Sequence, residues 1–177
     1  MDEFDRAREL DEKGRALSDS GRPLEAAEAF REALALDPGS ADLAYNLGVA
    51  LQRAGRAAEA DEAFARALEA GGERADLVLS LGLAAWERGE AKEAERLYRR
   101  ALELDPELAA AWNDLGVVRF VAGRHAEARA CFESAVALAP EDYDAWFNLR
   151  DACEVLGDRN AFRAAAAKVR ELERLRR

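Results

Sequence analysis

The chain has 177 residues, half of them apolar, with 36 acidic side chains against 26 basic ones. A net charge of −10 sets the summed field against phosphate backbones and anionic headgroups, which argues against nucleic acid and membrane surfaces as partners. Alanine, leucine, glutamate and arginine dominate, prolines number four and β-branched residues are scarce, so the expected fold class is all-α.

No stretch approaches the roughly 20 apolar residues of a membrane span, and Met1 to Asp5 lack the basic and apolar regions of a signal peptide. The expectation is a soluble, cytoplasmic protein. From Asp158 onward seven basic residues oppose three acidic ones, a basic end on an acidic body that suits a solvated final helix.

Self-comparison along the chain succeeds at a period of 34 residues. The units fall at about 7–40, 41–74, 75–108, 109–142 and 143–177, and they are expected to make one domain with no room for a second. In the first, Gly14 belongs to a first helix, Gly21 ends it, and Ala26, Phe30 and Ala33 form the inner stripe of a second helix that stops at Asp37 and Pro38. In the second, Ala44, Leu47, Gly48 and Leu51 stand at i, i+3, i+4 and i+7, one apolar face of a helix. Gly55 then supplies a left-handed turn residue at least cost. Ala60, Phe64, Ala67 and Leu68 make the matching stripe, small residues letting the two helix axes approach. Gly72 stands where the other units have proline. The third unit carries Gly82, Gly89, Ala94, Tyr98, Ala101 and Pro106 in the same columns, and the fourth Gly116, Gly123, Ala128, Phe132, Ala135 and Pro140. Proline stops the second helix because it lacks the amide donor and restrains the residue before it.

The fifth unit departs. Arg150 replaces the first-helix glycine, Phe162 the small alanine and Ala166 the aromatic. Its last helix instead lines up Phe162, Ala165, Val169, Leu172 and Leu175 in one stripe, with Arg163, Lys168, Arg170, Glu171, Arg174 and Arg176 around the rest, the pattern by which a repeat array seals its open end.

These columns resemble the tetratricopeptide repeat family. Trp112, Leu115, Gly116, Ala128, Phe132, Ala135 and Pro140 match its pattern almost in full, and the resemblance runs from about Ala7 to the end. It implies a right-handed superhelical solenoid of antiparallel helical hairpins. The column where that family has tyrosine holds Leu17, Leu51, Ala85, Arg119 and Cys153, so Arg119 must reach solvent or a carboxylate. The tryptophan columns, Trp112 and Trp146, are expected in the core.

The resemblance further implies that first helices line a concave surface where peptides commonly lie. A first helix satisfies one stripe against its own hairpin partner, so a second apolar stripe calls for another explanation. In the first unit that stripe is polar, with Arg8, Asp11, Arg15, Ser18 and Asp19. It is mixed in the second, with Asp42, Tyr45, Val49, Gln52 and Arg53. Apolar character then rises through Leu79, Leu83 and Trp86 to Val117, Phe120 and Val121. The fifth unit keeps Phe147 and Val155 among Asp144, Asp151 and Glu154. Val117 and Leu83 serve equally well as packing against a neighbouring first helix, whereas Trp86 and Phe120, one repeat apart at the far ends of their helices, point to a binding role. Asn46 and Asn148 share a column that in the family often hydrogen-bonds a peptide backbone, and a solvated amide serves equally there. The candidate groove is therefore Tyr45, Asn46, Val49, Arg53, Leu79, Leu83, Trp86, Asn113, Val117, Phe120 and Phe147. One subset of the family clamps a terminal carboxylate with lysines; those columns here hold Asp11 and Asp76, which repel a carboxylate.

Catalytic chemistry is poorly supplied. The one histidine, His125, follows Arg124 in the first turn of a second helix with no ligand-type residue at metal spacing, and is expected to be a surface residue. Cys131 and Cys153 are too few and too far apart for a disulfide scaffold or a zinc site and are expected as reduced thiols on apolar faces. Carboxylates pair with arginines at helical spacing, as Glu95 with Arg99. The expectation is a protein-binding scaffold or adaptor, chaperone-like, with no enzymatic activity, no cofactor and no metal. Its partner would be a protein or peptide carrying an apolar or amphipathic segment. The alternative is a homo-oligomeric assembly module that uses the same strip or the basic last helix.

Overall fold

A computed structural model describes residues 2–176, and among them the regular elements are ten α-helices and no strand. In chain order they are α1 (Glu3–Asp19), α2 (Pro23–Leu36), α3 (Ala41–Arg53), α4 (Ala57–Gly71), α5 (Ala75–Glu87), α6 (Ala91–Leu104), α7 (Ala109–Val121), α8 (His125–Leu138), α9 (Tyr143–Val155) and α10 (Arg159–Leu175). The chain divides into two compact units, one up to Ala84 and one from Ala85 onward, with the boundary inside α5.

Two kinds of helix start occur. Several helices begin on a side-chain cap: Asp2, Ser40, Asp142 and Asp158 accept from backbone amides of the first turn. The cap at Asp2 starts α1 at Glu3. The second helices α2, α4, α6 and α8 follow Arg22, Arg56, Glu90 and Arg124, none of which caps with its side chain. Backbone geometry takes over at these turns. Gly21, Gly55, Gly89 and Gly123 have φ between 73° and 78°, and the next amide reaches back five residues, as Arg56 N–H to Leu51 O at 2.9 Å. That closure satisfies carbonyls left open at the end of the first helix, and only glycine enters the left-handed region without a Cβ penalty. Gly72, in the column that holds proline elsewhere, ends α4 differently: with φ 73° and ψ −170° it leads the chain out in an extended conformation, its own amide bonded to Leu68 O at 2.8 Å.

Within the first unit the hairpins close on glycine–aromatic pairs. A Cβ on Gly14 would fall 2.5 Å from the Phe30 ring, and one on Gly48 would fall 2.5 Å from that of Phe64. Around the rings pack Ala26, Ala33, Leu43, Ala44, Leu47, Leu51, Ala60, Ala67 and Leu77, all buried. The helix axes approach because one partner offers no side chain and the other fills the gap with a ring.

In the second unit Gly116 stands against Phe132 in the same way. The cluster continues through Ala128, Ala135, Val136, Ala145, Leu149, Ala152, Cys153 and Ala165. Arg150 occupies the glycine column of α9, and α10 has a small residue, Ala166, in the column that holds a ring in the other units. Ala165, Ala166, Val169 and Leu172 are buried on the last helix, whereas Leu175 is 72% exposed and lies past the end of the sealed stripe. Cys131 and Cys153 are buried free thiols.

Three sequence expectations need correction. Trp112 and Trp146 are half-buried, not core: their rings pack on the cluster while the indole N–H groups donate to Pro106 O at 2.9 Å and Pro140 O at 2.8 Å. Each tryptophan thus ties its helix to the proline stop before it, which requires its polar end at the surface. His125 is half-buried, with a buried Nδ1 that has no hydrogen-bond partner among the described residues. Its ring meets Phe120 edge-on at 4.8 Å. Glu95 turns away from Arg99 and binds Arg124 at 2.6 Å and Arg119 at 3.4 Å, both from the following repeat.

Candidate functional site

Successive first helices inside each unit are stitched at a fixed offset. Asn46 donates to Asp11 Oδ1 at 3.1 Å, Tyr45 Oη lies 3.4 Å from Ser80 Oγ, and Asn148 donates to Asn113 Oδ1 at 2.9 Å. Each pair is separated by 35 residues, one more than the repeat, so a side chain meets the following position of its neighbour's column. An asparagine has two amide hydrogens, so Asn46 and Asn148 each keep one donor beyond the stitch.

Beside these stitches lies a cleft that recurs. In the first unit it has a volume of about 170 Å³ and is lined by Arg15, Ser18, Asp19, Phe30, Tyr45, Asn46, Val49 and Arg53. In the second unit a cleft of about 70 Å³ is lined by Val117, Phe120, Phe132, Asn148 and Asp151. Position for position, Arg15, Ser18, Phe30, Asn46 and Val49 become Val117, Phe120, Phe132, Asn148 and Asp151, three repeats later. One backbone device presents two chemistries. The earlier wall is a cationic and a hydroxyl side chain; the later wall is valine and phenylalanine, with a carboxylate at its rim.

Sequence models described as tetratricopeptide repeat match residues 17–81 with one model and residues 79–142 and 114–176 with another. Together they span nearly the whole chain. The chain belongs to the tetratricopeptide repeat family. No curated protein matches the sequence. Among solved structures it is similar to PilF of Pseudomonas aeruginosa, with a TM-score of 0.85 and 24% identity over 95% of this chain and 77% of that one. It is also similar to MamA of Desulfovibrio magneticus RS-1, with a TM-score of 0.76 and 21% identity over 96% of each chain. YrrB, described as a tetratricopeptide protein with an unusual peptide-binding site, gives 0.66 and 24% identity over 92% of this chain and 84% of that one. At these identities the likeness is one of fold.

The other candidate positions of this tetratricopeptide array are spread differently from one another. Tyr45 and Val49 pack half-buried on the first core, with the Arg74 guanidinium 5.3 Å from the Tyr45 ring centre. Leu79 is half-buried and Leu83 is 38% exposed. Trp86, half-buried, lines a different cleft from Phe120, one it shares with Val118, Val121 and Ala122. Equivalent columns thus open into different clefts, which sequence spacing does not reveal. Phe147 lies under the Arg150 guanidinium at 3.8 Å, so a cation covers the ring that the sequence presents as bare apolar surface.

The electrostatics hold one further group that the sequence pattern does not mark. Asp114 is half-buried beside Asn113, and its carboxyl is pushed up to about 6, first by burial and then by nearby Asp142, against the hydrogen bond from Asn113. Glu95 is held below the usual carboxylate range by its hydrogen bond from Arg124 despite partial burial. Of the two outcomes open to it, solvent or a carboxylate, Arg119 reaches a carboxylate, and it also lies 3.2 Å from Cys131 Sγ. Burial raises that thiol, opposed by the guanidinium.

Proposed function

We propose that this chain is a non-enzymatic protein-binding scaffold, which takes an apolar or amphipathic peptide segment of a partner protein on the first-helix face of its second unit. The observation that carries the reading is the recurring cleft, polar at Arg15 and Ser18 but apolar at Val117 and Phe120. A wall that only had to close the array has no reason to change in that sense, whereas a ligand wall does. Tetratricopeptide membership supports a scaffold that binds proteins or peptides, and a peptide-binding site is named for YrrB. The free amide hydrogen of Asn148 supplies a donor for a peptide carbonyl, and Val117 and Phe120 supply the apolar contact.

A side chain buried against such a wall contributes about 1.5–3 kcal/mol before association costs, which places affinity in the micromolar range. The net charge disfavours nucleic acid and anionic membrane surfaces as ligands, and no described helix is long and apolar enough to cross a membrane. The test is affinity capture from the source cells with wild-type protein beside Phe120→Ala, after circular dichroism establishes that both are equally helical. One partner held by wild type and lost by the variant supports the reading; equal capture by both contradicts it. Homo-oligomerisation through the same wall would instead appear as a doubled mass in light scattering that Phe120→Ala abolishes.

A further inference from the structure

One cleft of the second unit does not lie on the first-helix face. It has a volume of about 560 Å³ and is lined by Lys92, Glu95, Arg96, Arg99, Glu103 and Arg124, so it runs along α6, a second helix, to the cap residue of α8. Lys92, Arg96 and Arg99 follow one another at i, i+4 and i+7, one face of the helix. Their possible internal partners are mostly engaged elsewhere. Glu95, the residue at ion-pair spacing before Arg99, is taken by Arg119 and Arg124; Glu103 is taken by Arg100 at 3.1 Å and Glu93 by Arg96 at 2.6 Å. Lys92 and Arg99 are left exposed with no ion pair among the described residues. In a chain of net charge −10, this is a localised cationic surface held open by the pairing of its neighbours.

Against it lies a second cleft of about 300 Å³, which shares Lys92, Glu95 and Arg124 and is otherwise lined by Trp86, Ala91, Val118, Val121 and Ala122. Val121 is 68% exposed, and its neighbours there are apolar. A cationic trough and an apolar slot therefore meet along one continuous edge. Water solvates the slot poorly because it offers little to bond, while the trough beside it attracts anions.

We propose that this edge is a second docking surface, for a partner-protein segment that carries one bulky apolar side chain among several carboxylates. The apolar side chain enters the slot between Trp86 and Val121, and the carboxylates lie along Lys92 and Arg99. Charge complementarity selects the occupant: the trough repels basic segments and gives neutral ones no attraction, and the slot requires the apolar anchor. The inference rests on the scaffold reading but uses different residues, so each can fail alone.

The probe is a fluorescein-labelled nine-residue peptide with a single phenylalanine at its centre, two acidic residues on each side of it and glycine and serine elsewhere, measured by anisotropy against the full chain. A matched peptide with glutamine and asparagine in place of the acids is the control. Binding of the acidic peptide should weaken about tenfold or more in the control, in Lys92→Glu/Arg99→Glu and in Val121→Asp, and on raising salt from about 50 to 300 mM. It should be unchanged in Phe120→Ala. All three positions changed in the test variants are exposed, so their helicity should equal wild type by circular dichroism. The proposal is overturned if the acidic peptide does not bind, if the neutral peptide binds equally, or if Phe120→Ala is the variant that abolishes binding. It is also overturned if the slot belongs to a second copy of the chain, whose Phe4 is 70% exposed between Glu3 and Asp5: the mass would then rise with concentration and Phe4→Ala would abolish the rise.

Discussion

The side-chain amide of Asn148 donates to the carboxamide oxygen of Asn113 at 2.9 Å, and three repeats earlier the same two positions hold Asn46 and Asp11, joined at 3.1 Å. A bond repeated at corresponding positions of two units is part of how consecutive first helices are set in register. Asn148→Ala removes the donor and leaves a half-buried carboxamide oxygen without it. The expected loss is about 1 kcal/mol in urea unfolding, with unchanged helicity. Asn148→Asp, which presents an acceptor to an acceptor, should cost at least as much at neutral pH.

Gly48 and Phe64 make a prediction of larger size. A methyl group on the glycine has to displace an aromatic ring 2.5 Å away, in a site where the ring is fully buried. Gly48→Ala should destabilise the protein by about 1–3 kcal/mol even though alanine is the better helix former. Combining it with Phe64→Leu, which makes room, should recover part of the loss; a double variant as unstable as the sum of the two singles would show that the contact is not what excludes the side chain.

Asp114 gives a pH dependence with a definite sign. Its folded carboxyl, pushed up to about 6 by burial, holds a proton more tightly than the unfolded chain, where it titrates near 3.8. Below about pH 4 the group is protonated in both states and costs nothing. Between about pH 4 and 6 its ionisation opposes folding, and above pH 6 the full penalty, at most about 3 kcal/mol, remains. Salt-bridged carboxylates such as Glu95 act with the opposite sign, so the difference between wild type and Asp114→Asn isolates the effect. The variant should be the more stable at pH 8 and nearly equal to wild type at pH 4, read from urea midpoints.

Much of the fold was legible because the period is carried by residues with mechanical duties. Glycines at the turns need positive φ, glycines in the first helices meet a ring, and alanines let axes approach; these demands are local and repeat with the chain. Arg119 was legible in part, since a cation in an apolar column has to find solvent or a carboxylate, and the sequence alone does not say which. What escaped the sequence depends on neighbours one repeat away. Glu95 has Arg99 at helical spacing but chooses Arg124, and Trp86 and Phe120 share a column yet line different clefts because the side chains around them differ. Phe147 reads as bare apolar surface until Arg150 is seen above it. Trp112 and Trp146 match a core signature, but an indole N–H needs an acceptor, and the proline carbonyl that serves lies near the surface.

The thiols test how firmly the second unit is closed. Cys131 and Cys153 are 1% and 0% exposed, and burial raises both above the ordinary thiol range. Alkylation by iodoacetamide at pH 8 should be slower by at least about a hundredfold in the native protein than in urea, with both thiols reacting through opening of the fold. Glu95→Ala, which releases Arg119 from its place beside Cys131, should speed labelling of Cys131 more than that of Cys153.

The most direct test of the first-helix face as the ligand wall is photo-crosslinking in the source cells, with benzoylphenylalanine placed at position 120 in place of Phe120 and, separately, at the exposed Ala137 on α8. The account predicts one discrete partner adduct from position 120 that is missing from position 137. Adducts of equal yield from both positions, or none from position 120 while position 137 captures a partner, would contradict it.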